Sequence, residues 1–169
     1  MKKAIFLDRD GVINDVYLVK DKPYSPRTFN KFKISNNVYS TLAKIKEKNY
    51  LTIIITNQPD ISRGLMHINE LNKMHNYIFK VLPIDDIYVC IHDDKDFCQC
   101  RKPKPGLLFE AAKKWDIDFE SSFIVGDSAK DIDAGKAANV KTILFVKSYN
   151  KNVIADYYIQ NFNDILFII

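Results

Sequence analysis

Ala4-Ile5-Phe6-Leu7-Asp8-Arg9-Asp10-Gly11 is a buried-strand pattern that ends in two carboxylates two residues apart. Residues i and i+2 of an extended chain point the same way, so Asp8 and Asp10 are expected to face one small polar pocket just beyond the strand's end. Two anions that close repel unless a cation sits between them. A hard divalent ion such as Mg2+, which takes oxygen ligands and accepts phosphate in its shell, is the natural resolution. Gly11 then lets the chain turn away tightly. Taken alone, the same residues equally describe a strand end followed by an Asp-Gly turn. The remainder of the chain decides between the two.

Beyond this stretch, apolar runs alternate with helical patterns, and no internal repeat or low-complexity segment interrupts them. That alternation predicts an α/β fold built on a doubly wound, mostly parallel sheet. Strands are expected over residues 4–7, 51–56, 87–91, 123–125 and 142–146, with 157–159 as a short edge strand. Helices are expected over 35–47, capped by Ser35 or Asn36, over 69–82, stopped by Pro83, over 107–115 and 131–138, and from Phe162 onward. Leu108, Phe109 and Trp115 read as core. His67 and His75 read as surface or packing residues, and Tyr17, Tyr24 and Phe29 as candidates for a substrate entrance. Ligands of a doubly wound sheet bind beyond the carboxyl ends of its strands. Asp8 and Asp10, Thr56-Asn57-Gln58, Arg101-Lys102 and Gly126-Asp127 are therefore expected to converge.

A chain of 169 residues, 47% hydrophobic, supports one well-buried core, so residues 1–169 are read as a single domain. No apolar run approaches the roughly 18 to 20 residues of a membrane span. The first strand begins at once, leaving no room for a signal peptide, and a cytoplasmic protein is expected. A net charge of +4 with scattered lysines suits anionic substrates without calling for nucleic acid. Cys90, Cys98 and Cys100 are all the cysteines there are, and they fall within eleven residues together with His92. An odd, clustered set without a secretion signal argues for metal rather than disulfides. Three thiolates and one imidazole match a closed tetrahedral structural Zn2+ site, a staple that would pin the loop carrying Arg101 and Lys102. Three core cysteines with a surface histidine are the alternative, disfavoured because Asp93, Asp94, Lys95 and Asp96 make that loop polar.

The DRDGVIN, ITNQ, RKPKPG and VGDSAKD strings, in that order and spanning nearly the whole chain, resemble the four motifs of the haloacid dehalogenase superfamily. Phosphoryl transfer needs an in-line nucleophile, charge neutralisation and a proton donor. The resemblance implies that Asp8 attacks phosphorus to give an aspartyl-phosphate. Asp10 would protonate the leaving alkoxide and then activate water, Thr56 would offer its hydroxyl, and Lys102 would hold the phosphoryl charge. Asp127 would complete a Mg2+ shell with Asp8 and the backbone carbonyl of Asp10. Asp131 would ligate through water or orient Lys102.

With the Cys90, His92, Cys98 and Cys100 loop added, the chain resembles the zinc-containing, cap-less phosphatases of that superfamily, in which two branches compete. One hydrolyses D-glycero-D-manno-heptose 1,7-bisphosphate in lipopolysaccharide precursor synthesis; the other hydrolyses histidinol phosphate. Ile61-Ser62-Arg63-Gly64 and Pro105-Gly106 look more like the heptose branch, which implies that Arg63 and Arg101, beside Asn57 and Gln58, contact the sugar or its second phosphate. The five-residue gap between His92 and Cys98 occurs in the histidinol branch as well. Pro59-Asp60 stands in place of Ser-Gly, and Ser128 where a lysine is frequent, which points to a related sugar phosphate or another anomer. No interval has room for a separate cap domain. A polynucleotide 3'-phosphatase is a third reading, disfavoured because aromatics and lysines do not interleave. A non-catalytic zinc-loop docking module is a fourth, disfavoured because no catalytic position is missing. The expected partner is a small phosphorylated sugar or amino alcohol, and a monomer is the default.

Overall fold

The computed structural model describes residues 1–169. Its strands are β1 (Ala4–Leu7), β2 (Tyr17–Val19), β3 (Lys22–Tyr24), β4 (Leu51–Asn57), β5 (Asp86–Cys90), β6 (Phe123–Gly126), β7 (Lys141–Phe145) and β8 (Tyr157–Ile159). Its helices are α1 (Val38–Glu47), α2 (Ile68–Val81), α3 (Gly106–Trp115) and α4 (Ala129–Ala137), with 3-10 turns at Phe29–Lys31, Asp94–Asp96 and Phe162–Phe167. Six strands form one parallel sheet in the order β5-β4-β1-β6-β7-β8. The chain leaves β1 for β4 and β5 on one side, then crosses to β6, β7 and β8 on the other. β1 therefore sits at the switch in strand order, where a doubly wound sheet opens a crevice.

Both faces of the sheet are covered, which is why its inner strands read as continuous apolar runs. Ile5, Leu7, Ile54 and Val125 face α1, α2 and the C-terminal 3-10 turn, meeting Leu42, Ile45, Ile78 and Ile165. Ala4, Phe6, Ile53 and Ile55 face α3 and α4. Each fully buried Ile, Leu or Phe is worth roughly 1.5–3 kcal/mol, so β1 is a firm mount for Asp8 and Asp10 just beyond it.

Several element ends differ from the sequence expectation. α1 begins at Val38 because Asn37, in a left-handed conformation with φ 63°, precedes it. α4 begins at Ala129, as the Asp131 carboxylate accepts from Ser128 N and Oγ at 3.1 and 2.6 Å and closes the helix start there. The tail after Asn161 is a 3-10 turn, too short to propagate an α-helix. Phe109 is half exposed and not core, since inward-facing Leu107, Leu108 and Ala111 turn it outward. His67 caps α2, its Nδ1 accepting from Asn69 N at 3.2 Å.

The β2–β3 hairpin is absent from the sequence expectation. Its turn residues Lys20 and Asp21 take φ 50° and 60°, where Asn-Gly is the usual signal, and all six strand residues are exposed. Tyr17 and Tyr24 stack across it at 5.8 Å. Between β1 and α1 the chain adds only this hairpin and the Phe29–Lys31 turn, with no separate cap. No helix is long and apolar enough to cross a membrane.

Candidate active site

Asp8 is the first residue beyond β1, its N–H held by the Val125 carbonyl at 2.9 Å. One carboxylate oxygen, Oδ1, accepts from Arg9 N at 2.8 Å and from Lys102 Nζ at 2.8 Å. The same ammonium donates to the Ile55 carbonyl at 2.7 Å and lies 2.5 Å from Asp131 Oδ1. Lys102 is thus buried against two carboxylates; burial alone would discharge it, but Asp131 and Asp8 hold it charged well above the ordinary lysine range. Asp8 is pushed well above the usual carboxylate range, by burial first and then by the nearby Asp131, Asp127 and Asp10, with Lys102 opposing.

Asp10 is wired differently. Arg9, fully buried, donates through Nη2 to both of its oxygens at 2.9 and 3.0 Å, Asn14 Nδ2 donates at 2.9 Å, and Gln58 Nε2 at 2.7 Å. Burial works against the charge, but Arg9 and these hydrogen bonds more than offset it, so Asp10 lies below the ordinary carboxylate value. Two neighbouring carboxyls are held in opposite senses, an arrangement typical of acid–base sites. Gln58 Nε2 also donates to Thr56 Oγ1 at 2.9 Å, and Thr56 is fully buried. Behind Arg9, His75 Nε2 stands 3.3 Å from Nη1, and burial with the adjacent guanidinium brings its pKa down to about 4.

Asp127 ends the turn after β6. Its Oδ2 accepts a short hydrogen bond from the Tyr149 hydroxyl, and Asn150 Nδ2 donates to its carbonyl at 2.8 Å. Burial, reinforced by Asp131, raises its pKa to about 7. Gly11, at φ +86°, passes so close that a Cβ there would lie 1.9 Å from Asp127 Oδ2. Ligand oxygens of Asp8, Asp127 and Asp131 lie within 4.8 Å of one another. Asp8 Oδ2 and Asp127 Oδ1 are the oxygens without a protein donor. Three crowded carboxylates against one lysine leave negative charge uncompensated, and an all-oxygen donor set fits a hard ion such as Mg2+. They open into a cavity of about 310 Å3 whose lining includes Asp10, Asn57, Arg101, Lys102, Ser128 and Lys130.

The second cluster lies beside it. Cys90 closes β5, and Cys100 Sγ lies 3.1 Å from Cys90 Sγ, 3.5 Å from Cys98 Sγ and 3.3 Å from His92 Nδ1, with Cys90 3.6 Å from both Cys98 and His92. Three thiols and one imidazole thus crowd together, all four ligand atoms within 4.8 Å of one another, a spacing close to that of ligands about 2.3 Å from one tetrahedral ion. Burial pushes the Cys90 thiol to about 12. Arg101 stems from this loop, donating to Asp94 at 2.7 Å and to the His92 carbonyl at 3.3 Å. Asn57 does not point free into the cavity: its amide bridges Lys102 N and O, each at 3.1 Å, and so fixes the loop. Arg63 stands apart, on a neighbouring cavity, bound to Asp93.

Asp8, Asp10, Asn57, Arg101, Lys102, Asp127 and Asp131 therefore line one cavity, Gln58 and Arg63 line the one beside it, and Thr56 lies buried behind them. Arg9, Asn14, Tyr149 and Asn150 escaped the sequence reading. Arg9 was marked by its place between the two carboxylates and Asn14 by following apolar Val12-Ile13; Tyr149 carried no such mark.

The chain matches the family model of the haloacid dehalogenase-like hydrolases over residues 13–145. A D-glycero-beta-D-manno-heptose-1,7-bisphosphate 7-phosphatase of Helicobacter pylori is 38% identical over 150 residues, covering 85% of this chain and 83% of that protein. The alpha-anomer 7-phosphatase of Campylobacter jejuni is 36% identical over 154 residues, covering 88% and 85%. A solved D,D-heptose 1,7-bisphosphate phosphatase from B. bronchiseptica, complexed with magnesium and phosphate, shares the fold with a TM-score of 0.85 over 98% of this chain and 97% of that one, at 24% identity. With a catalytic-type carboxylate pair at the switch point of the sheet and these relatives alongside it, the chain belongs to the haloacid dehalogenase-like hydrolases and is a phosphatase.

Proposed function

We propose that the chain removes the C7 phosphate of D-glycero-D-manno-heptose 1,7-bisphosphate through an aspartyl-phosphate on Asp8, as a single, cytoplasmic, monomeric domain serving lipopolysaccharide precursor synthesis. The substrate rests on the names of relatives matched over most of both chains. The chemistry rests on one observation: Asp8 sits 2.8 Å from the buried Lys102 ammonium, with Asp127 and Asp131 close around it.

Asp8 attacks phosphorus as the carboxylate through Oδ2, the oxygen that neither Arg9 nor Lys102 engages; Lys102 favours that ionised form against burial, and a Mg2+ held beside it would complete the charge balance. Lys102, locked between Asp8, Asp131 and the Ile55 carbonyl, neutralises the phosphoryl oxygens without moving. Asp10 rests as an anion; an incoming phosphate dianion raises its pKa, so it takes up a proton, passes it to the leaving alkoxide, and as a carboxylate again draws one from the water that attacks the aspartyl-phosphate. Gln58 links Asp10 to Thr56 and keeps its carboxylate oriented. Asp8, Asp127 and the Asp10 carbonyl would hold Mg2+, with Asp131 behind them; the ion supplies charge neutralisation and in-line alignment of the phosphoryl group. Cys90, His92, Cys98 and Cys100 would hold a structural Zn2+ that leaves no open position for chemistry and braces the loop of Arg101 and Lys102.

Phosphorus NMR of heptose 1,7-bisphosphate incubated with enzyme and Mg2+ tests this reading. The C7 phosphate signal is expected to vanish as inorganic phosphate grows, leaving the C1 signal. Loss of the C1 phosphate first, or no release, overturns it.

A further inference from the structure

Beside the catalytic cavity lies a second one of about 220 Å3, and Pro23, Ser25, Asn57 and Pro59 line both. The two form one trough, walled along one side by the end of β3 and the residues just past it. Tyr24, Arg27, Asp60 and Arg63 belong to the end away from Asp8. A substrate with a second anionic group beyond its reacting phosphate needs a cation at that end.

Three arginines stand near the trough, and their hydrogen bonds separate them. Arg63 donates through Nε and Nη2 to Asp93 at 2.8 and 2.5 Å, and its Nη1 lies 3.6 Å from Asp60, so its fork is occupied. Arg101 donates through Nε and Nη1 and is 8% exposed. Arg27 uses only Nε, on Asp60 Oδ2 at 2.6 Å, with a side chain 39% exposed. A side-on grip through Nε leaves the end-on pair Nη1 and Nη2 together, the geometry that takes phosphate bidentately.

We propose that Arg27 grips the second, non-reacting phosphate of the substrate, and that Asp60 is the positioning residue that presents it; this rests on the bisphosphate reading of the function. Asp60 lies between two guanidiniums, Arg27 and Arg63, so its charge is neutralised rather than turned toward the ligand. It freezes the Arg27 head before substrate arrives, which removes an ordering cost from binding. The Pro59-Asp60 pair, which departs from the Ser-Gly of the resembled family, then has a physical role: a glycine at position 60 could not hold Arg27. Arg63, anchored to Asp93 and Asp60, ties this end of the trough to the Cys/His loop and acts on Arg27 through Asp60.

The test compares full-length wild type with Arg27→Gln, Arg27→Lys and Asp60→Asn, assaying heptose 1,7-bisphosphate and heptose 7-phosphate with Mg2+. Arg27→Gln is expected to cut the bisphosphate-to-monophosphate ratio of kcat/KM at least tenfold, the loss falling in KM for the bisphosphate. Arg27→Lys should recover part of that ratio, and Asp60→Asn should move it the same way by less. An unaltered ratio in Arg27→Gln, or a loss carried by kcat, overturns the assignment of Arg27. A wild type with no preference for the bisphosphate overturns the bisphosphate reading itself, and the assignment with it.

Discussion

Arg9→Met removes the guanidinium that neutralises Asp10 and leaves its aliphatic volume behind. Arg9 has no exposed surface, and Asp10 is 9% exposed, so the variant strands a carboxylate with little water. Asp10 keeps Asn14 and Gln58 as donors but loses its only countercharge, the two Nη2 hydrogen bonds at 2.9 and 3.0 Å. Breaking a buried pair from one side costs about 3–5 kcal/mol. For a chain of this size each kcal/mol lowers Tm by about 2–4 °C, so a fall of about 6–20 °C is expected. The double variant Arg9→Met/Asp10→Asn removes the stranded charge and should regain at least about 1 kcal/mol relative to Arg9→Met, a coupling that urea unfolding of the four-member cycle reads directly. An Arg9→Met protein within about 1 kcal/mol of wild type, or a double variant showing the simple sum of the two single losses, refutes the reasoning.

His75 is neutral in the fold, with a pKa brought to about 4 by burial and by Arg9, against 6.5 for the free side chain. Between those values the unfolded chain binds the extra proton, so stability falls as pH drops from 6.5 toward 4; the loss from this group is about 2 kcal/mol at pH 5, and His75→Gln should flatten that part of the urea-unfolding profile relative to wild type. Metal analysis of anaerobically purified protein should find one Zn2+ per chain that survives dialysis, and Cys98→Ser should lower both zinc content and Tm; a zinc-free protein of unchanged Tm contradicts the structural role. Tyr149→Phe deletes the donor on Asp127 Oδ2 and should weaken Mg2+ binding about tenfold by calorimetry. Equal Mg2+ affinity in the variant removes Tyr149 from the site.

The architecture was legible because continuous apolar runs, buried on both faces of the sheet, lead directly into polar residues at Asp8, Asn57 and Asp127. Lys102 and Asp127 were legible because their residue types are costly to bury without a chemical role, Asp8 because it sits just past a buried strand, and the Cys/His quartet because its four ligand types fall within eleven residues. Partnerships were less so. That the Asn57 and Gln58 amides engage the Lys102 backbone and Asp10 was not legible, because a hydrogen bond between residues 45 or 48 positions apart leaves no local pattern. Tyr149 and Asn150 reach Asp127 from beyond β7, and only the fold joins them. The β2–β3 hairpin, exposed on both faces, buries nothing and so carries no periodic signal.

The most direct test of the central claim is Mg2+-dependent phosphate release by wild type and Asp8→Asn, on both anomers of heptose 1,7-bisphosphate and on histidinol phosphate at matched concentrations. Wild type is expected to favour a heptose anomer clearly, and Asp8→Asn, folded as wild type by circular dichroism, to lose several orders of magnitude of rate on every substrate. Turnover by Asp8→Asn within about tenfold of wild type contradicts the nucleophile, and a preference for histidinol phosphate contradicts the substrate.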